Sequence, residues 1–149
     1  MNETQQTATI DVAVDLDEIF NLIYAESDWI SAHNGSYYRL SPDNAPMLRL
    51  RVGEGYAQLQ PRLQPYLLWA NYNPNIEQRN LTLTLQFEHP QPSGLTSTIH
   101  QLVVQLLAYY ALMRFYDGRT DLYATAWRRC NAQLMLMFAR DANRRCALP

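Results

Sequence analysis

The spacing of apolar residues predicts a strand followed by a helix at the start of the chain. Residues 7–14 alternate between apolar and polar side chains, which is typical of a short strand or an extended arm. Asp15 stands three residues before Glu18, the spacing of a capping box that satisfies free amides at a helix start. Apolar residues then recur at helical spacing, which predicts a first helix that runs to about His33. We expect it to stop before Gly35, because glycine takes the left-handed helix-ending conformation without strain.

A second helix is predicted in the next segment, so that the two helices together occupy residues 15–64. It is expected to begin near Ser41 and to hold Pro46 in its first turn, since a proline deeper in a helix clashes with the preceding turn. Glycines and prolines interrupt its apolar stripe. A kink or an early end is therefore expected near Gln60.

Residues 66–90 are predicted to form a β excursion from the helices. The clearest strand pattern of the chain lies within it, where polar side chains alternate with four apolar ones: Leu81, Leu83, Leu85 and Phe87. This alternation predicts one solvent-exposed face and one buried face. A lone strand leaves its amides unpaired, so a partner is required, and residues 66–70 and 7–14 are the two candidates.

Residues 93–141 are predicted to form a helical hairpin. Its first helix is expected to begin at a second capping box, formed by Thr98 and Gln101, or earlier at Ser93. This helix is apolar on most sides and leaves only a narrow polar strip. Such a helix is either central to its bundle or buried by partner molecules.

The last helix is predicted to begin near Thr120, after a turn at Gly118, and residues 142–149 are predicted to be a frayed tail. It carries a stripe of residues expected to point inward: Tyr123, Trp127, Cys130, Leu134 and Phe138. The whole pattern predicts one mainly α domain over residues 1–149, with a minor β part. Its architecture is expected to be a bundle of about four helices with a β-strand or hairpin excursion.

The distribution of charge says more about function than the net charge of −2, which leaves no bulk basic field for nucleic acid. Residues 1–45 hold eight acids and one arginine, a balance of −7, whereas residues 114–149 hold seven arginines and three aspartates, a balance of +4. The two ends pair either within the fold or between neighbouring copies in a head-to-tail ring. All twelve basic residues are arginine. Arginine suits carboxylates at interfaces, although a biased genome composition gives the same result.

Few residues have the spacing that catalysis or metal binding requires. His33, His89 and His100 lack the partner three or four residues away that a helical metal site shows. Cys130 and Cys146 are too few for a disulfide framework and have no metal spacing. A Cys130–His100 nucleophile pair is conceivable, but nothing in the sequence joins the two. The sequence therefore predicts no enzyme, no cofactor and no metal.

No stretch approaches the ~18 apolar residues of a membrane span, and the first residues lack the apolar run of a signal peptide, so a soluble cytoplasmic protein is expected. Aromatic and arginine side chains are enriched at protein interfaces, and several lie here in or beside predicted loops or on the outer face of the last helix. We predict contacts with other proteins through two tryptophans, two arginines and the apolar strand residues: Trp29, Trp69, Arg128, Arg129, Leu81, Leu83, Leu85 and Phe87.

The order of the elements also resembles that of a known family. A second helix opens at the turn of residues 43–48, a clean amphipathic strand ends in Pro90, and a long helix over residues 102–116 contains the stretch Ala-Tyr-Tyr-Ala-Leu-Met-Arg-Phe-Tyr. An aromatic and arginine-bearing helix closes the chain. Across residues 11–141 this layout resembles the small head–tail connector, or adaptor, proteins of tailed bacteriophages, in particular those of phages and prophages of Bacteroides-type bacteria.

The resemblance implies a virion structural protein that is made in the host cytoplasm and is not an enzyme. Such a protein assembles into a ring at the portal vertex, between portal and tail proteins, with DNA passing through its centre without sequence-specific binding. No motif of the family carries a ligand, so no site residue is transferred to this chain. Two other functions stay open from the residues alone. One is a small cytoplasmic binding or regulatory module with one protein partner, and the other is an enzyme or small-ligand binder that uses the aromatic residues of the last two helices.

Overall fold

The computed structural model describes residues 8–73, 78–92 and 94–146, with side chains described as far as residue 141. Over these residues the chain forms four α-helices and one three-stranded antiparallel sheet, and 63% of it is helical. The predicted mainly α fold with a minor β part is therefore confirmed. Parts of the predicted N-terminal arm, of the loop after residue 73 and of the tail lie outside the described residues, as does the alternative helix start at residue 93.

The sheet consists of β1 (Ala8–Asp15), β2 (Leu67–Asn71) and β3 (Asn80–Phe87), in the order β1-β3-β2. Both segments that were expected to pair with the central strand do so, and both pairings are antiparallel. The apolar residues of β3 are each 1% exposed or less: Leu81, Leu83, Leu85 and Phe87. The solvent-exposed and buried faces predicted by the alternation are therefore confirmed.

Helix α1 (Leu16–His33) begins at the predicted capping box. The Asp17 amide donates to Asp15 Oδ1 over 2.9 Å, and the Asp15 amide donates to Glu18 Oε1 over 3.4 Å. The helix ends where expected, but its C-terminal cap is not the expected left-handed glycine. The cap is Asn34 in an extended conformation, and among the described residues only Gly94 and Gly118 have a positive φ. The prediction that glycine ends this helix in the left-handed conformation is therefore wrong.

A short 3₁₀ turn (Pro42–Asn44) leads into α2 (Ala45–Leu63), whose first turn holds Pro46 as predicted. Of the two alternatives expected near Gln60, a kink or an early end, the early end is wrong, since the helix continues through Pro61 to Leu63. Proline removes the hydrogen bond to the carbonyl four residues back. That carbonyl belongs to Ala57, which lies on the exposed side of the helix, so its loss there is tolerated.

Helix α3 (Leu95–Phe115) starts at Gly94, which takes a left-handed conformation with φ of 92°. The predicted capping box at Thr98 is wrong, because this residue lies inside the first turn and its hydroxyl donates to the Gly94 carbonyl. The helix packs against α1, α2, β1 and the last helix, so of the two expected alternatives, a central place in the bundle and burial by partner molecules, the structure has the first. It lies close to α2 at Gly55, where an added Cβ would lie 3.1 Å from Tyr110 Cδ1.

Helix α4 (Leu122–Cys146) follows a turn at Gly118, where φ is 75°. The predicted inward stripe is buried, except that Trp127 is partly exposed. The helix continues to Cys146, five residues beyond the predicted end of the hairpin at Asp141. Asp141 is buried and accepts a 2.8 Å hydrogen bond from Gln91 Nε2, a contact that holds this end of the helix on the loop before α3.

Candidate interaction surfaces

The four apolar residues of β3 that were predicted to contact other proteins are buried in the structure. The side chains of Leu81, Leu83, Leu85 and Phe87 lie in the core of their own chain, on the sheet face that the helices cover. The strand is also central, so both of its hydrogen-bonding edges are already taken. These side chains are unavailable to a partner, which corrects the expectation of contacts through β3. The alternation showed that one face is buried, but not that the same chain covers it.

The two predicted tryptophans are exposed but lie on different elements. Trp29 projects from α1 and is 49% exposed, whereas Trp69 projects from β2 and is 53% exposed. A bulge in β2 leaves its neighbour Leu68 61% exposed as well. Trp69 lies opposite Thr84, which belongs to the polar face of the sheet. The structure therefore places these residues on two separate surfaces.

The outer face of α4 mixes arginines with exposed apolar side chains. Arg129 shares a row along the helix with Leu122 and Leu136, since residues seven apart lie two turns apart on one face. Arg128 shares a second row with Met135 in the same way. All five side chains are exposed. Both predicted arginines thus belong to a surface that combines positive charge with apolar area.

These arginines have no acidic partner in the described part of the chain. Described carboxylates form no ion pair with the five described arginines between residues 114 and 141, which are Arg114, Arg119, Arg128, Arg129 and Arg140. N-terminal acids instead pair with arginines elsewhere, Asp28 with Arg39 and Asp17 with Arg79. The acidic residues 1–45 and the basic residues 114–149 were expected to pair either within the fold or between neighbouring copies. Among the described residues, pairing within the fold is not found.

A pocket of about 300 Å³ opens where α1, α3 and α4 meet. Its lining is mostly aromatic and apolar, with one carboxylate: Glu26, Trp29, Tyr109, Leu122, Tyr123 and Ala126. The Tyr109 and Tyr123 rings stack with centroids 6.3 Å apart. The Tyr123 hydroxyl donates to the main-chain carbonyl of Glu26 over 3.2 Å, which ties α4 to α1 at the floor of the pocket.

The charge of the pocket resides on Glu26. Burial first, and the nearby Glu26 carboxylate second, raise the pKa of both Tyr109 and Tyr123, so the two phenols stay neutral at physiological pH. Glu26 forms no ion pair with a cation in the part of the chain that the structure describes. The site thus presents one negative charge among aromatic rings. The Tyr123 hydroxyl lies 3.5 Å from Glu26 Oε2, and the nearby Arg129 guanidinium opposes the rise in the pKa of Tyr109.

The sequence did not single out Glu26. It offered the aromatic residues of the last two helices, Tyr109 and Tyr123 among them, as the lining of a ligand cavity or as core, with the core favoured. A signal for the α1 side of the pocket was present, because Glu26 and Trp29 are spaced three residues apart and so share one helix face. Nothing comparable joins this face to α3 and α4. Those contacts depend on how the three helices pack, which no local pattern records.

The conceivable nucleophile pair does not form. Cys130 Sγ contacts Gln105 Oε1 at 3.5 Å, while His100 Nε2 lies 2.8 Å from Glu18 Oε2, so each residue has a different partner. Burial also raises the pKa of the Cys130 thiol, which disfavours the nucleophilic thiolate. Across the residues described, no group of three or more histidine, cysteine or acidic side chains is placed to hold a metal ion.

Comparisons with protein-family models, with curated proteins and with solved structures find nothing that matches this chain. Within the described ranges, none of the helices has the length and the apolar run that crossing a bilayer requires.

Proposed function

We propose that this chain is a non-enzymatic structural subunit of a tailed-bacteriophage head–tail connector. Its copies assemble head to tail into a ring at the portal vertex, where they contact portal and tail proteins, and DNA passes through the ring without sequence-specific binding. The protein is made in the host cytoplasm and becomes part of the virion. The resemblance in the order of elements suggests this class, and the charge distribution of the folded chain supports assembly.

The observation that carries the proposal is the absence of ion pairs at the described arginines of residues 114–141. An arginine placed against a carboxylate of a neighbouring copy gains an interaction that the isolated chain lacks, and complementary patches also steer the encounter. A ring requires two different surfaces on each copy, one for each neighbour. A basic α4 face and an acidic N-terminal region meet this requirement.

The exposed apolar side chains of α4 support the same proposal. Leu136 is 52% exposed, and Leu122 and Met135 lie on the same helix within reach of the arginines. Apolar area beside charged groups that fix orientation is the usual composition of a protein interface. The low share of charged residues in the chain, 17%, also agrees with a surface that is partly covered in the assembly.

The test is to measure the molar mass of the protein by gel filtration with light scattering over a wide range of concentrations, alone and mixed with a portal protein. We expect the mass to rise to that of a closed oligomer, and added salt to shift the equilibrium towards monomer by screening the ionic contacts. A monomer at every concentration, with and without portal protein, would contradict the proposal. If that monomer instead captured one non-virion protein, the result would favour a small cytoplasmic regulatory module.

A further inference from the structure

The pocket between α1, α3 and α4 has the chemistry of a receptor for a cation on an apolar stem. The rings of Trp29 and Tyr109 line the pocket and attract a cation, and the Glu26 carboxylate supplies the opposite charge. Part of the Trp29 ring is occupied by His33, whose ring centroid lies 4.4 Å away, but Trp29 remains 49% exposed. Leu122 and Ala126 provide apolar surface for a side-chain stem. Because two neutral phenols and an indole surround it, a bound cation would be partly desolvated, which strengthens both attractions.

The composition of the chain restricts which cation a second copy can offer. All twelve basic side chains are arginine, so the guanidinium group is the only permanent side-chain cation available. Guanidinium is planar, stacks on aromatic rings and matches a carboxylate with two parallel donors. Several arginines near the C-terminus are exposed and lack a described acidic partner.

Helix geometry favours Arg128 over Arg129 as the residue that supplies a guanidinium group to the pocket of a neighbouring copy. Ala126 lines the pocket, and Arg129 lies only about 60° from it around the axis of α4, so these two residues share a flank. Arg128 lies about 160° from Ala126, on the opposite flank of the helix. A head-to-tail ring needs donor and acceptor on opposite sides of each copy, whereas a two-fold dimer uses one self-complementary patch. Arg128 therefore has the position that a ring requires.

We infer that the α1/α3/α4 pocket receives the guanidinium group of Arg128 from a second copy of the chain, with Glu26 as its counter-ion. This inference rests on the proposed ring assembly and identifies one of its contacts. Each copy then offers its pocket to one neighbour and its Arg128 to the other.

The first experiment compares single variants by light scattering and sedimentation. Glu26→Gln and Arg128→Gln are each expected to weaken association about tenfold, since each removes one partner of the contact. The matched controls are Glu54→Gln and Arg51→Gln, which each remove one partner of an ion pair within α2, and neither residue lines the pocket. Both controls are expected to assemble like the original chain.

Folding of the pocket variants is not expected to fail. The Tyr123 hydroxyl bonds mainly to the main-chain carbonyl of Glu26, which glutamine keeps, and Arg128 is exposed. Trp29→Ala is a second pocket variant at an exposed position, and the same loss of association is expected from it. Circular dichroism and thermal melts check that every variant compared is folded.

The second experiment mixes Glu26→Gln and Arg128→Gln chains at a concentration where each alone is monomeric. The first variant keeps Arg128 and the second keeps the pocket, so one contact forms and growth stops. We expect one-to-one pairs and no larger species. Mixtures that stay monomeric would overturn the pairing of these two residues.

The outcomes separate this inference from the function on which it rests. If the original chain assembles and the pocket variants assemble equally well, the inference fails while the ring proposal stands. Loss of assembly in Arg129→Gln but not in Arg128→Gln would also overturn it, because the contact would then be two-fold. An original chain that stays monomeric at all concentrations overturns the proposed function itself.

Discussion

A buried chain of hydrogen bonds joins the loop after α1 to the end of α3 through Ser27. Ser27 Oγ accepts the Leu40 amide hydrogen over 2.7 Å and lies 2.9 Å from the Tyr116 hydroxyl. That hydroxyl donates to the Tyr38 carbonyl over 2.6 Å. Because the Tyr116 hydroxyl hydrogen is used in this bond, the Ser27 hydroxyl donates its own hydrogen to the Tyr116 oxygen. Each donor of these three hydrogen bonds therefore has an acceptor. Replacing Ser27 by alanine should therefore destabilise the fold.

The expected loss follows from the burial of these groups. Ser27 is 0% exposed and Leu40 is 2% exposed, so water cannot replace the missing hydroxyl. An unsatisfied buried amide costs about 1–3 kcal/mol, and a hydrogen bond lost by Tyr116 adds about 1 kcal/mol. Alanine returns roughly 0.5 kcal/mol through its higher helix propensity. The net loss is about 2 kcal/mol, which lowers Tm by about 4–8 °C in a chain of this size.

The assay is urea unfolding followed by circular dichroism. Ser31→Ala is the matched control, since Ser31 lies one turn later on α1, is exposed to a larger degree and donates only to the Asp28 carbonyl. The Ser31→Ala substitution raises helix propensity by the same amount but leaves the buried hydrogen bonds of Ser27 intact. Tyr116→Phe completes a double-mutant cycle with Ser27→Ala, for which we expect a coupling of about 1 kcal/mol. Equal stabilities of the Ser27→Ala and Ser31→Ala proteins would refute the reasoning.

Three further predictions concern packing and pH. Gly55→Ala is expected to cost about 1–3 kcal/mol in urea unfolding, because its Cβ would lie 3.1 Å from Tyr110; Gly35→Ala, whose Cβ meets nothing within 4 Å, is the control. Leu83→Ala should cost about 2–5 kcal/mol and exposed Leu68→Ala about 0.5 kcal/mol or less, and equal losses would contradict the burial of β3. Burial raises the pKa of seven of the ten tyrosines, so their stabilising contribution is complete below about pH 10 and is lost as the pH rises through the folded values. These seven phenols should therefore ionise together with alkaline unfolding, and phenolate absorbance that reaches its full amplitude well before unfolding would contradict this.

Local features of the fold could be predicted because their causes are local. The capping box of Asp15 and Glu18 depends on residues three apart, and the two faces of β3 depend on a period of two. The central place of α3 follows from its apolar surface on most sides. The failures at Gly35 and Thr98 are also local in kind. At both ends a nearby residue is the cap instead, Asn34 in an extended conformation and Gly94 in the left-handed one.

The amino-acid sequence alone determined the helices, the strands, the buried face of β3 and the unequal distribution of acids and arginines. It did not determine which molecule covers the buried face, since alternation is the same whether the cover is the chain's own helices or a partner. Only the tertiary structure placed Glu26, Tyr109 and Tyr123 around one pocket and left Arg128 on the opposite flank of α4. Side-chain periodicity orients residues within one element, whereas distances between elements depend on close packing of the whole core.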